Sequence, residues 1–268
     1  MNSWIHAMTM DAHTITNGPA IFITDDVMKI AKFYLSEVNI PTAVLQDLVN
    51  AISHNRDIGV KIDTLEKTLE DIVGEDDAIR NPEAQSLIKQ IEVFKNAIQA
   101  IMPPRMFVPN TKEHMRRYVP DARYDGAAPD AFTSDITESM VAEIMQISDV
   151  KDTWKILLLL GVGTFTSHSS ARYLEVMKKL AEEQRLFMII ASGDYVYGTN
   201  YQFCHGYFGK DIQNISQEKC IQAMGRVGRG NQNHEYTVRF RSEELLDKLF
   251  HEAPDKPEAE NMRRLFNS

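Results

Sequence analysis

The chain has 268 residues, 43% of them apolar and 25% charged, enough for one large domain or two small ones and unlike the make-up of a disordered protein. Its longest strongly apolar run, Ile156 to Val162, is too short to cross a bilayer, and the first residues, with no basic stretch followed by an apolar one, do not read as a secretory signal. Net charge is −9 but uneven: residues 1–150 carry 13 Lys/Arg against 23 Asp/Glu, and residues 151–250 carry 13 against 11, so only the later segment can offer a local basic face.

In chain order, the apolar run Ala20 to Ile23 follows the breakers Asn17-Gly18-Pro19 and predicts a strand. Asp25-Asp26 then supplies an N-cap for a helix outlined by Val27, Ile30, Ala31 and Tyr34. Between residues 39 and 149 the pattern turns helical and acidic. Thr42 is expected to cap a helix through Ile52, Ile62 to Ile72 mark a second, and Asn81-Pro82 start a third that runs to Ile101 before Pro103-Pro104. A loop-rich stretch follows, and Ser134 is expected to cap a fourth helix with Ile136, Met140, Ile144 and Ile147 on one face.

Strand and helix alternate again after Trp154. Ile156–Leu160 reads as a buried strand turning at Gly161 to Thr164, and a helix with Tyr173, Val176, Met177 and Leu180 follows. Further strands are expected over Leu186–Ala191, Phe203–Phe208 and Glu235–Arg241, with helices capped by Ser216 and Ser242. This order predicts an α/β fold whose mostly parallel sheet has helices on both faces and is interrupted by an inserted helical subdomain. The domain boundaries that follow are 15–38 and 150–250 for the α/β part, 39–149 for the insertion and 251–268 for a Pro-rich acidic tail.

The most specific chemistry lies in Gln222-Ala223-Met224-Gly225-Arg226-Val227-Gly228-Arg229. Two arginines three apart at the end of a helix suit phosphate oxygens, because guanidinium charge is permanent and its donors form a fork. For the pair alone, a solvated helix C-terminus favoured by the dipole is the preferred reading. Elsewhere the signals are weaker. Cys204, His205, Cys220 and His234 fit no zinc spacing, so core and surface roles are expected and no metal is assigned. Ser167-His168-Ser169-Ser170 reads as a turn before a helix N-terminus, with a phosphate contact as its functional option. Asp25-Asp26 is a cap rather than a metal site, and Arg116-Arg117 is expected to be solvated or ion-paired. The two cysteines, which make no disulfide framework, point to a reducing intracellular compartment.

The eight-residue segment resembles motif VI of superfamily 2 helicases, Gln-x-x-Gly-Arg-x-Gly-Arg, at all five defined positions. Gly18–Asp26 resembles motif IV, and Ile189 to Asn200 resembles motif V, with Ser192 in place of its threonine and Gly198 and Asn200 matching its Gly-x-Asn ending. Helicases of large DNA viruses are similar, including the Tyr-Gly-Thr-Asn-Tyr form of motif V. The resemblance implies the second, C-terminal RecA-like domain of an ATP-dependent helicase. Arg226 and Arg229 would be the arginine fingers, and Gln222, Gly225, Gly198 and Asn200 would lie towards the nucleotide. Thr24, Ser192, Gly193, Ser167 and His168 would hold DNA or RNA, single-stranded, by its phosphates.

ATP and Mg²⁺ are the implied cofactors, shared with an N-terminal RecA-like domain in cis or in trans. Neither Gly-x-x-x-x-Gly-Lys-Ser/Thr nor an Asp-Glu pair occurs, so no turnover is expected of the chain alone. The alternative is a non-catalytic nucleic-acid- or protein-binding scaffold with a helicase-derived fold, in which the helical insertion contacts a protein partner. No membrane partner is expected.

Overall fold

The computed structural model describes residues 18–72, 81–116, 132–167, 170–195, 201–213, 215–228 and 236–250. Five short strands form one sheet: β1 (Ala20–Ile23), β2 (Val162–Phe165), β3 (Met188–Ala191), β4 (His205–Phe208) and β5 (Thr237–Phe240). Their order is β2-β3-β1-β4-β5, and every pairing is parallel. All four residues of each of β1 to β4 are buried, which requires cover on both faces. Only β5 is half-exposed along its length. The fold is thus α/β with an all-parallel sheet, consistent with the expected RecA-like architecture.

The helices are α1 (Val27–Val38), α2 (Thr42–Ile72), α3 (Pro82–Asn96), α4 (Lys112–Arg116), α5 (Glu138–Gln146), α6 (Asp152–Leu159), α7 (Ala171–Glu182), α8 (Gln217–Met224) and α9 (Glu243–Lys248). Asp26 caps α1 by accepting from the Lys29 N–H at 2.9 Å, Asn81 caps α3, and Ser170 and Ser216 cap α7 and α8.

Six sequence expectations are corrected, the first being that of Thr42, which is the opening residue of α2 and not its cap. Ile156–Leu160 is not a strand: it belongs to α6, and the strand begins at Val162. A run that is apolar on all sides has no periodicity to separate buried helix from buried strand. Here Trp154 to Leu160 are all buried, and Gly161, at φ +80°, ends the helix and turns the chain into β2. The two helices expected between Thr42 and Ile72 are one helix of 31 residues. Gly59 does not break it, because Gly59 is where the carbonyl of Gln146 approaches: a Cβ there would lie 3.2 Å from that oxygen. The third helix ends at Asn96 rather than reaching Ile101. Ser134 caps nothing. The helix after it starts at Glu138, behind Thr137, and Ser134 packs against Gly161 instead. At the end of the sheet, Ser242 precedes α9 but makes no side-chain cap bond.

The main core joins the sheet to α1, α5, α6 and α7 and extends to Ile52 of α2 and to Phe107. A second, much smaller core of Ile58, Ile62 and Ile91 holds α2 against α3. Polar contacts mark the seam between the two. The Asn55 amide donates to the Gln99 carbonyl at 2.8 Å and accepts from its N–H at 2.9 Å, Arg56 pairs with Asp152, and the Ser148 hydroxyl donates to Asp63 at 2.9 Å. Lys155, wholly buried beside them, donates to the Met145 carbonyl at 3.2 Å.

Candidate nucleotide and nucleic-acid contacts

The carboxyl ends of the parallel strands gather several of the expected contacts. Thr24 follows β1, and its N–H donates to the Ala191 carbonyl at 3.0 Å; Ser192 follows β3 and donates likewise to Phe165 at 3.2 Å. Ser167, two residues beyond β2, is exposed, and Gly193 opens a short 3-10 turn, Gly193–Tyr195. Residues from three loops therefore share one edge of the sheet, the edge where open α/β folds bind ligands. The turn after β2 is fixed from behind. Tyr173, in the first turn of α7, accepts from the Thr164 N–H at 3.0 Å and shares a 2.7 Å bond with the Thr164 hydroxyl. Burial pushes the Tyr173 phenol up to about 12, so it stays neutral.

Thr24 itself is wholly buried, and its hydroxyl donates to Asp211 at 2.6 Å. Asp211 also accepts from the Asp26 N–H at 2.9 Å, while Asp25 accepts from the Gln213 N–H at 3.1 Å and the Gly209 N–H donates to Ile23 at 2.8 Å. Four hydrogen bonds thus tie the loop after β4 to the loop after β1. Gly209 is required there, since a Cβ would meet Asp211 at 2.5 Å and the Ile23 carbonyl at 3.2 Å.

Motif-VI-like residues occupy another place. α8 starts beside the carboxyl edge, where Lys219 donates to Asp194 at 2.9 Å. It ends near the opposite edge. Val227 bridges to Phe203, two residues before β4, and the Gly228 N–H donates to the Phe203 carbonyl at 2.9 Å. A four-residue strand, roughly 10 Å long, separates that end from the edge holding Thr24. Gln222, Gly225 and Arg226 lie three and four apart, on one side of the last turn. Gln222 and Gly225 are exposed and Arg226 is half-buried. The two glycines differ. Gly228 has φ +78° and a virtual Cβ 3.1 Å from the Tyr236 ring, whereas Gly225 has φ −66° and only ordinary contacts.

Arg229, Gly198, Asn200 and His168 lie outside the described residues, as does His234. Cys204 and Cys220 are buried, and burial pushes the Cys220 thiol up to about 11, leaving it protonated and a poor metal ligand. His205 shares a 2.8 Å hydrogen bond with Thr237 across β4 and β5. Among the described residues no three His, Cys, Asp or Glu side chains converge to hold a metal ion. No described helix is long and apolar enough to cross a membrane.

Asp211 and Lys219 belong to no motif legible in the sequence. Gly209-Lys210 is followed by Asp211 rather than the Ser or Thr of a phosphate loop, and an Asp just past a strand and a glycine is where a parallel sheet places polar groups at its edge.

No family model and no curated protein matches the sequence. Among solved structures, the chain is similar to the crystal structure of the C-terminal part of the Fun30 ATPase domain, over 92% of this chain and 95% of that one, at 8% identity and a TM-score of 0.27. At that distance the fold assignment rests on the strand order and its all-parallel register, and on nothing finer.

Proposed function

We propose that this chain is the C-terminal RecA-like half of an ATP-dependent nucleic-acid helicase, with the segment 39–149 as a helical insertion. The observation that carries it is the separation of two groups of residues on one sheet. Gln222, Gly225 and Arg226 stand at the carboxyl end of α8, while Ser167, Ser192 and Gly193 stand at the carboxyl edge of the strands. One end serves ATP and the other a single DNA or RNA strand.

The residues present fit half of a nucleotide site. Arg226, just past the Gly225 C-cap of α8 and one turn on from Gln222, can reach a phosphate held by another domain, and Arg229 follows three positions on. A triphosphate bound with Mg²⁺ supplies the phosphoryl group to be hydrolysed. Arg226 and Arg229 place permanent positive charge where negative charge grows on that group, an effect that reaches roughly 10³–10⁵ in rate in related systems. Gln222 orients the cleft. The Gly193 N–H, with the Ser167 and Ser192 hydroxyls, holds strand phosphates without reading bases. The magnesium ligands belong to the N-terminal domain.

The test is ATP hydrolysis with and without single-stranded nucleic acid, for this chain joined to or mixed with its N-terminal partner domain. Arg226→Ala is expected to lower the stimulated rate by about 10³-fold or more while the circular-dichroism spectrum stays unchanged. An unaltered rate defeats the assignment. The missing Gly-x-x-x-x-Gly-Lys-Ser/Thr favours a second reading, a non-catalytic scaffold, which predicts nucleic-acid or protein binding without hydrolysis in any mixture.

A further inference from the structure

A sheet of order β2-β3-β1-β4-β5 has its topological switch point between β1 and β4: the chain leaves β1 towards β2 on one side and leaves β4 towards β5 on the other. Ligands of open α/β sheets bind at such points, outside the carboxyl ends of the strands. In this protein the place is filled from within. The Asp211 carboxylate sits over the end of β1, accepts hydrogen bonds from the Thr24 hydroxyl at 2.6 Å and from the Asp26 N–H at 2.9 Å, and Thr24 has no exposed surface. One hydroxyl and one backbone N–H converging on an anionic oxygen are also the donors that a phosphate would use. Lys210, the next residue in the loop, is exposed at the same edge.

We infer that Asp211 is an internal stand-in for a phosphate, an autoinhibitory latch that a nucleic-acid phosphate displaces, with Lys210 pairing the arriving charge. In the latched state Thr24 is unavailable. In the released state the loop 209–213 swings out on Gly209, and Thr24 and the Asp26 N–H pass from the carboxylate to the phosphodiester. The inference depends on the proposed function only for the identity of the anion.

The sign of one substitution separates a latch from a clasp. In the full-length chain, Asp211→Ala is expected to tighten binding of a labelled homopolymeric single-stranded oligonucleotide about fivefold or more. It should also steepen the dependence of log K on log salt by about 0.7, the signature of one added phosphate contact on a single strand. The gain disappears in Thr24→Val/Asp211→Ala. Inorganic phosphate raises the melting temperature of Asp211→Ala and leaves that of the wild type unmoved.

Equal or weaker oligonucleotide binding by Asp211→Ala, with no response to phosphate, overturns the latch and makes Asp211 a structural clasp. If Asp211→Ala fails to fold, Asp211→Asn keeps both acceptor bonds without the charge, and affinity unchanged in that variant overturns it equally. A chain that never binds the oligonucleotide but whose Asp211→Ala form responds to phosphate keeps the latch and defeats the helicase reading. Oligonucleotide binding with no gain in the variant does the reverse.

Discussion

The sheet and the hairpin of α2 and α3 are held together by different means. In the sheet, four strands are buried on both faces, and aromatic pairs such as Phe208 on Phe240, 4.5 Å apart and nearly parallel, close the core. Beyond Ile52 the apolar residues that the hairpin buries are Ala84 and the cluster of Ile58, Ile62 and Ile91, and it relies for the rest on half-buried side chains and surface pairs such as Lys95 with Glu66 at 3.0 Å. Surface pairs of that kind contribute about 0–1 kcal/mol each. The contrast shows where rigidity resides: the candidate site is mounted on the part with the larger core, and the hairpin opens at lower cost.

The largest effect that could break this contrast is a cavity in each core. Phe208→Ala, from a side chain 1% exposed, is expected to cost about 3–5 kcal/mol in denaturant unfolding and to lower hydrogen-exchange protection across the whole molecule. Ile62→Ala is expected to cost about 2 kcal/mol and to lower protection only in α2 beyond Ile52 and in α3. Global loss of protection in Ile62→Ala shows that the two regions unfold as one unit and removes the distinction.

Lys155 tests the seam. Burial, and then the Arg56 guanidinium, bring its pKa down to about 8, while Asp152 and Asp149 oppose the shift. A depressed lysine binds its proton less well folded than unfolded. The folded state therefore carries the full penalty below pH 8, and stability recovers as pH rises from 8 towards the ordinary 10.5. Lys155→Met keeps the length and removes the charge. Allowing for the lost bond to Met145, it is expected to stabilise by about 1–3 kcal/mol at pH 7. The gap to wild type narrows through pH 8 to 10.5; a gap independent of pH means that the lysine reaches water.

These contrasts also mark what could be read from the residues alone. β1, α1, α7, β3 and α8 were legible because their caps and apolar periods agree, as with Asp26 before Val27 and Ser216 before Gln217. The passage from Trp154 to Phe165 was not. Its most apolar stretch is helix, and its strand, Val-Gly-Thr-Phe, has a glycine and a threonine where a buried strand is sought. The unbroken α2 is not legible locally, because the mostly polar stretch between Ile52 and Ile62 interrupts its apolar stripe. At the site, the position of Ser192 past a strand followed from its neighbours. The capture of Thr24 by Asp211 did not, because local pattern carries no information on a pair 187 residues apart.

The smallest expected effect repeats the contrast between framework and site within a single motif. Gly228 is structural. At φ +78° an alanine costs about 1–2 kcal/mol in backbone strain, and its Cβ would press on the Tyr236 ring at 3.1 Å. Gly228→Ala should therefore lower stability by about that amount or more. Gly225 has helical φ and open surroundings, so Gly225→Ala should change stability by less than about 0.5 kcal/mol in either direction. If Gly225 nevertheless serves the nucleotide by leaving room for its phosphates beside Arg226, that same variant lowers the ATPase rate of the complete assembly while its melting curve stays in place. If hydrolysis and melting curve both stay unchanged, that end of α8 does not face nucleotide, and Arg226 becomes a helix-end cation stabilised by the carbonyls above it.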